Sequence, residues 1–507
     1  MGSVPPPASI TLPQAQPPPR GGMARNAFHL GLGQVATTAL TVLLTAAVAR
    51  TLGASDFGRL YLLTSIATFA YVFVDWGHGQ YVTREIARHP GRSDDLIGSV
   101  LAVRIATAFF VCAPAVATAW LLGYDARTRV LTATMIAAWL PMYLALSYSW
   151  LFRGHERMDY DALINVTLKL VTLVLALVIL ALGGRLLAYI LVFAVAGTMT
   201  LGLSIVLYRR LRLPPLRTSM QTARELIRGG APMFTMNLAI AVQPYIDANM
   251  LYKFAPPDVV GWYGAAWNIA GTLVAPASIL AQTAYPRLSR AANDETEFKR
   301  ALHTVLRPLL MVAVLGAVGT YLFADLAVII VYSRQKFGPA GRILQAFAPA
   351  LLFIYIDMLL GYAIFAAGRA ARLASAKFIA VLVTTGLEFV LIPWCQRHLG
   401  NGGIGLMFSV AAGELTMVVA ALVLIPRGTV DGRLLADLAR GLAAGGGTLL
   451  LMRSLPLTTT FIGIPLCVLT FVALSAAVGL LNRADAELLF AMLRRRRDDE
   501  SVPGFPE

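Results

Sequence analysis

Apolar runs of about twenty residues or more recur along nearly the whole chain, with short polar stretches rich in arginine and lysine between them. A helix crossing the ~30 Å hydrocarbon core of a bilayer needs about 20 mostly apolar residues. The pattern predicts fourteen such helices, the first six at 26–49, 57–80, 96–121, 128–152, 161–182 and 186–208. The other eight fall at 231–253, 259–283, 302–324, 341–366, 373–394, 403–425, 436–453 and 459–481. The segment ADLAVIIVYS (324–333) either extends the ninth helix or lies in the interface, and the thirteenth helix is short and glycine-rich. The longest polar interruption, RRLRLPPLRTSMQTARELIRGG (209–230), is read as a cytoplasmic linker with a surface helix around Gln221 to Arg228. Prolines inside spans, Pro141, Pro232, Pro276 and Pro349, are expected to bend their helices for packing. Gly441 and Gly445 make a small-xxx-small face for close helix contact.

Composition agrees with lipid as the main solvent. Of 507 residues, 57% are hydrophobic and 14% charged, where a soluble protein carries about 25% charge. Mean hydropathy is +0.69. The net charge of +15 would attract nucleic acid if it were clustered, but its excess lies in the short loops. Lys and Arg side with the membrane face that holds both termini by about 28 to 11, with three more inside spans. That asymmetry predicts cytoplasmic termini and removes the need for a nucleic-acid partner. Cys112, Cys395 and Cys467 lie in or at the end of apolar runs, and the six histidines form no ligand pair, so no disulfide framework or metal spacing is expected. Residues 1–25, with proline clusters and no apolar run typical of a signal peptide, are read as a disordered cytoplasmic tail. Residues 483–507, with Arg494 to Arg497, are read as a basic cytoplasmic tail.

The halves resemble each other. ASDFGRLY (54–61) opens the second helix and PPDVVGWYG (256–264) the eighth; YSWLFRGHER (148–157) ends the fourth and GYAIFAAGRAAR (361–372) the tenth. Six spans is an even number, so the repeat is parallel. The predicted fold is an all-α polytopic membrane protein with an N-lobe at 26–208, a C-lobe at 231–426, and two added helices at 427–482. Such repeats place a binding site between the lobes near the midplane.

Seven motifs then stand in a familiar order. VARTLGASDFGRLYLLTSIATF (48–69), DWGHGQYVTREIAR (75–88) and LFRGHERMDYDALINVTLKL (151–170) are followed by YIDANMLYKFAPPDVVGWYGAAWNIAG (245–271), AYPRLSR (284–290), KFGPAGRILQAFAP (336–349) and GGIGLMFSVAAGELT (402–416). Over roughly residues 26–426 the chain resembles the bacterial polysaccharide biosynthesis family of oligosaccharide flippases. The resemblance implies the exporter superfamily that also holds multidrug extruders and the peptidoglycan-precursor flippase. It implies an inner-membrane location and a polyprenyl-diphosphate-linked glycan as partner, alongside membrane lipids and other polysaccharide-assembly proteins. The proline-rich start and Asp357 depart from the family pattern.

Charges inside a span face a cavity or a partner, because hydrocarbon penalises them. Arg104 and Lys169 each lie about 8 residues, or roughly 12 Å, inside their spans, a matched depth that fits a diphosphate. Arg307 is a third candidate for the diphosphate-binding cavity, although it is nearer its span end, where its long stem also allows snorkelling. The second half carries acids instead: Asp247 and Glu388 in the outer third, Glu414 near the middle, and Asp357 toward the cytoplasm. These are candidates for coupling to H⁺ or Na⁺, with structural ion pairing as the alternative. Asp75, before Gly77 and Gly79, reads as a helix-terminating contact. No GxxxxGK[ST] nucleotide-binding run occurs, so no nucleotide cofactor is expected. Three functions are open: a flippase, a cation-coupled small-molecule exporter on the same fold, and a membrane sugar polymerase or ligase. The enzyme is disfavoured because no outer loop exceeds about sixteen residues, too little for a catalytic platform.

Overall fold

The computed structural model describes residues 20–292, 294–425, 431–455 and 460–481, and among them every regular element is a helix. The expectations for residues 1–19 and for the basic tail at 483–507 lie outside the described residues. Helix α1 (Arg20–Asp75) covers the first two predicted spans, with one break at Gly53, whose φ of 79° favours glycine. A second break at Trp76 and Gly77 (φ 69°) leads into the short α2 (His78–Arg88). The remaining N-terminal helices are α3 (Ser93–Leu121), α4 (Ala126–Gly154), α5 (Met158–Ala181) and α6 (Leu186–Arg210).

Helix α7 (Met220–Phe254) starts at an Ser219 cap whose hydroxyl accepts from the amides of Gln221 and Thr222. The expected surface helix around Gln221 is therefore the first turns of α7 itself. Next come α8 (Pro257–Ala291), α9 (Glu295–Val331), the one-turn α10 (Arg334–Phe337), α11 (Ala340–Ala366), α12 (Ala370–Leu399), α13 (Gly402–Leu424), α14 (Gly432–Arg453) and α15 (Gly463–Ala477). The ambiguous segment 324–333 extends the ninth span, as α9 runs unbroken to Val331. The helices continue through Pro141, Pro232, Pro276 and Pro349.

All fourteen predicted spans thus fall on helices. Eleven described helices are long and apolar enough to cross a membrane, α1 being counted once although it holds two spans; α7, on which the seventh predicted span falls, is too polar to be among them. Helix α15, at 15 residues, is shorter. Outward-facing Phe109 and Leu182 are 80% and 82% exposed, which suits lipid contact and would penalise the fold in water.

Two packed groups result. Helices α1 and α3 to α6 bury one core, around Tyr71, Met135, Ala176 and Ile190. Helices α8, α9 and α11 to α13 bury another, around Tyr263, Phe347, Leu351 and Met407. They meet along α1, which packs against both α7 and α8. The contact with α8 is a backbone approach: a Cβ on Gly58 would lie 2.0 Å from the Pro257 carbonyl oxygen, and one on Gly261 would lie 2.0 Å from that of Ala54. Only glycine fits either place. Helices α14 and α15 pack together against α9, where a Cβ on Gly445 would come within 2.5 Å of Val314.

Candidate functional site

Lys169 and Arg104 remain matched in depth, each eleven residues past the first residue of its helix. The structure does not bring them into one cavity. Arg104 is fully buried where α1, α3 and α4 meet. It forms an ion pair with Asp75, the last residue of α1, and donates to the Tyr143 carbonyl. A further bond runs to the Ser147 hydroxyl at 2.8 Å, and the guanidinium lies 4.2 Å from the Trp150 ring centroid. Neighbouring His78 is also fully buried, and neither of its ring nitrogens has a partner. Asp75 and Trp150 in turn line a cavity of about 490 Å³ together with Gln80, Arg84, Arg153 and Asn237. Arg104 stands behind that wall and holds Asp75 in place. The helix-terminating reading of Asp75 captured its position but not this partner.

Lys169 lines a second cavity, of about 450 Å³, where the two groups of helices meet. Its other polar walls are Thr37, Thr38, Thr41 and Thr45 of α1 and Asn268 and Thr272 of α8, and Val331 and Tyr332 close one end. Among the described residues, no carboxylate lines this space. The ammonium has no ion-pair partner among the described residues. The hydroxyls of Thr41 and Thr45 bond back to carbonyls four residues earlier, so their lone pairs and methyls face outward from a satisfied helix.

Asp247 on α7 and Glu388 on α12 are 2% and 0% exposed and come together as a carboxyl pair. The Gln243 amide donates to Asp247 and, at 3.3 Å, to Glu388 Oε1, while Glu388 Oε2 is left without a partner. Two buried carboxylates in contact repel when both are bare, so the pair calls for a shared proton or a cation. Tyr61 of the first group packs edge-on against Tyr263 of the second at 5.6 Å, within electrostatic reach of this pair. Glu414 on α13 pairs with Lys377 on α12 at 3.5 Å, and Asp357 on α11 lies close to both with Oδ1 unpartnered. The four acids therefore form two clusters rather than one. Arg307 takes no part in either cavity: it contacts Asp437 of α14 at 3.7 Å and the carbonyl of Leu480, just past the end of α15, tying that end of the chain and α14 to α9. Among the described residues, no group of three or more His, Cys, Asp or Glu is placed to hold a metal ion.

The sequence reading passed over Gln243 and the threonine face of α1. The threonines carried a signal, since Thr37, Thr41 and Thr45 recur every four residues along one face of the first span. Gln243 carried none beyond being an amide one helical turn before Asp247.

An all-helical membrane protein of two packed groups, with polar cavities at their junction, has the architecture of a multi-pass transporter. The chain belongs to the polysaccharide biosynthesis protein family, whose model matches residues 23–292. In fold it is similar to the lipid II flippase MurJ in an inward closed conformation, at a TM-score of 0.69 and 12% identity over 88% of this chain and 98% of that one. It is also similar to an inward-facing multidrug resistance MATE family transporter of the MOP superfamily, at 0.62 and 15% identity over 80% and 95% of the two chains. A eukaryotic MATE transporter, AtDTX14, follows at 0.52 and 13% identity, with 83% of this chain and all of that one covered. No curated protein matches in sequence.

Proposed function

We propose that this protein is a flippase that moves a polyprenyl-diphosphate-linked oligosaccharide from the cytoplasmic to the outer leaflet of the inner membrane. The two lobes, residues 26–208 and 231–426, would rock about the cavity between them to give alternating access, with both termini in the cytoplasm. The observation that carries this reading is Lys169, a half-buried cation well inside a span that faces a polar cavity between the lobes with no carboxylate beside it among the described residues. A charge so placed favours an anion, and a diphosphate supplies one. The glycan's hydroxyls suit the amide, carboxylate and guanidinium groups of the Asp75 cavity, and the polyprenyl tail stays in the lipid. A cation exporter would need the opposite sign at Lys169. The relatedness to MurJ in fold and the family membership support the same substrate class.

The test is genetic and chemical together. Deleting the gene should make one lipid-linked glycan accumulate on the cytoplasmic side. The parent gene and Lys169→Arg should relieve the accumulation, and Lys169→Ala at equal abundance should not. Normal export by Lys169→Ala would remove Lys169 from the substrate site, and absence of any accumulating glycan would remove the flippase reading.

A further inference from the structure

The Lys169 cavity ends at Val331 and Tyr332, and the carbonyls of those residues are held by an arginine from the other lobe. Arg50 is the last but two residue before the Gly53 break in α1. Its Nη2 donates to the Ile330 carbonyl at 2.6 Å, and its Nε to the carbonyls of Val331 and Tyr332 at 3.1 Å each. These are the free carbonyls at the C-terminal end of α9, where a helix presents partial negative charge. The exchange is reciprocal. Lys336, in α10 of the other lobe, donates from Nζ to the Arg50 carbonyl at 2.7 Å, which lies at the end of the first half of α1. Each lobe thus places a cation on the C-terminal end of a helix in the other.

The surroundings fix this contact. Trp262 donates to the Lys336 carbonyl at 3.0 Å. Phe57 of α1 sits against Tyr332 and Phe337, with ring centroids 6.1 and 5.6 Å away. The backbone approach of Gly58 and Gly261 adjoins it. Neither cation has a carboxylate partner here, among the described residues. A bond from a surface cation to a backbone carbonyl is readily exchanged for one to water, so the contact can open without stranding a buried charge. An ion pair sealed in the interior would not open so cheaply.

We propose that Arg50 and Lys336 form the latch that holds the mouth of the Lys169 cavity shut on the face bearing Gly53 and residues 332–339. The proposal rests on the transport reading above, in which that face is the outer one. Opening the latch would expose the threonine face of α1 and Lys169 to that side.

The test is accessibility, which requires no knowledge of the substrate. The full chain carrying Thr45→Cys, with Cys112, Cys395 and Cys467 replaced by alanine, is treated in sealed vesicles of each orientation with a membrane-impermeant maleimide. In this background the site should label slowly from the latch face. Lys336→Ala should speed labelling from that face about tenfold, the order expected for losing one charge-assisted hydrogen bond, and Arg50→Ala, which loses three, should speed it at least as much. Arg50→Lys should fall between, because it keeps the charge and loses the fork. Arg334→Ala, which removes a neighbouring surface charge, should label at the parent rate. If Arg50→Ala reduces abundance, Arg50→Gln is read in its place. Parent-rate labelling in both the Arg50 and the Lys336 variants would overturn the latch. Faster labelling in a protein that shows no glycan dependence would keep the latch and sink the flippase assignment.

Discussion

Arg104 combines two properties that pull in different directions: it is fully buried, and it is one wall removed from the cavity it was expected to line. Its depth in α3 was legible in the sequence, because a charge in the middle of an apolar run can be counted from the span end. Its partners were not, since Asp75, Ser147 and Trp150 come from helices whose packing no local pattern encodes. The arrangement makes Arg104 a positioning residue for Asp75. Removing one partner of a buried ion pair costs about 3–5 kcal/mol, whereas replacing both by neutral groups costs far less. Arg104→Ala should therefore lower the thermal midpoint in detergent and abolish glycan export, and Arg104→Lys should keep part of both. The double variant Asp75→Asn with Arg104→Met should be more stable than the two single losses added together. Strict additivity in that cycle would show that the two side chains do not act as a pair. Gln243 teaches the converse lesson. It bridges two carboxyls, yet a lone glutamine in a span is indistinguishable in sequence from one that merely bonds its own helix.

Helices were the easiest part to read, because a bilayer imposes a length and a hydropathy on each of them. The error was at one joint. The first two spans are separate helices that meet at the Gly53 break, whereas the linker helix is continuous with α7. There Gly229 and Gly230 lower helix propensity without ending the helix. The paired motifs at 54–61 and 256–264 resemble each other in sequence, and in the structure they are also the place where α1 and α8 touch. Gly58 and Gly261 allow that contact, and a side chain at Gly58 would have to push the Pro257 carbonyl aside. Gly58→Val should prevent α1 and α8 from closing and stop glycan export, while leaving the protein inserted. Gly271→Ala, on the same α8 with nothing within 4 Å of its added Cβ, should export like the parent. Export by Gly58→Val at the parent level would mean that the close approach of α1 to α8 is dispensable for the cycle.

At the scale of the whole molecule, the interior charges that lack a counter-charge among the described residues differ in sign between the lobes. The first holds Lys169, its Arg104 being paired with Asp75, and the second holds Asp247, Glu388 and Asp357, its Glu414 being paired with Lys377. An anionic substrate drawn to one lobe and a cation drawn to the other can be coupled if they favour different arrangements of the lobes. The structure offers a physical link. Asp247 and Glu388 lie within electrostatic reach of Tyr263, which packs on Tyr61 across the lobe junction. A proton or Na⁺ on the carboxyl pair would change the charge next to that aromatic contact, and would thereby bias whether the lobes stay closed on that side. Transport reconstituted in vesicles, with proton and Na⁺ gradients imposed separately, distinguishes the ions. A proton-driven cycle should lose its dependence on the pH gradient in Asp247→Asn and in Glu388→Gln, and a Na⁺-driven one should lose its Na⁺ dependence in the same variants. Glu414→Gln, whose carboxylate already has Lys377 at 3.5 Å as its counter-charge, should keep the gradient response and lose mainly stability. If both Asp247→Asn and Glu388→Gln respond to the gradients as the parent does, the pair only holds α7 to α12, and the driving ion binds elsewhere or is not used.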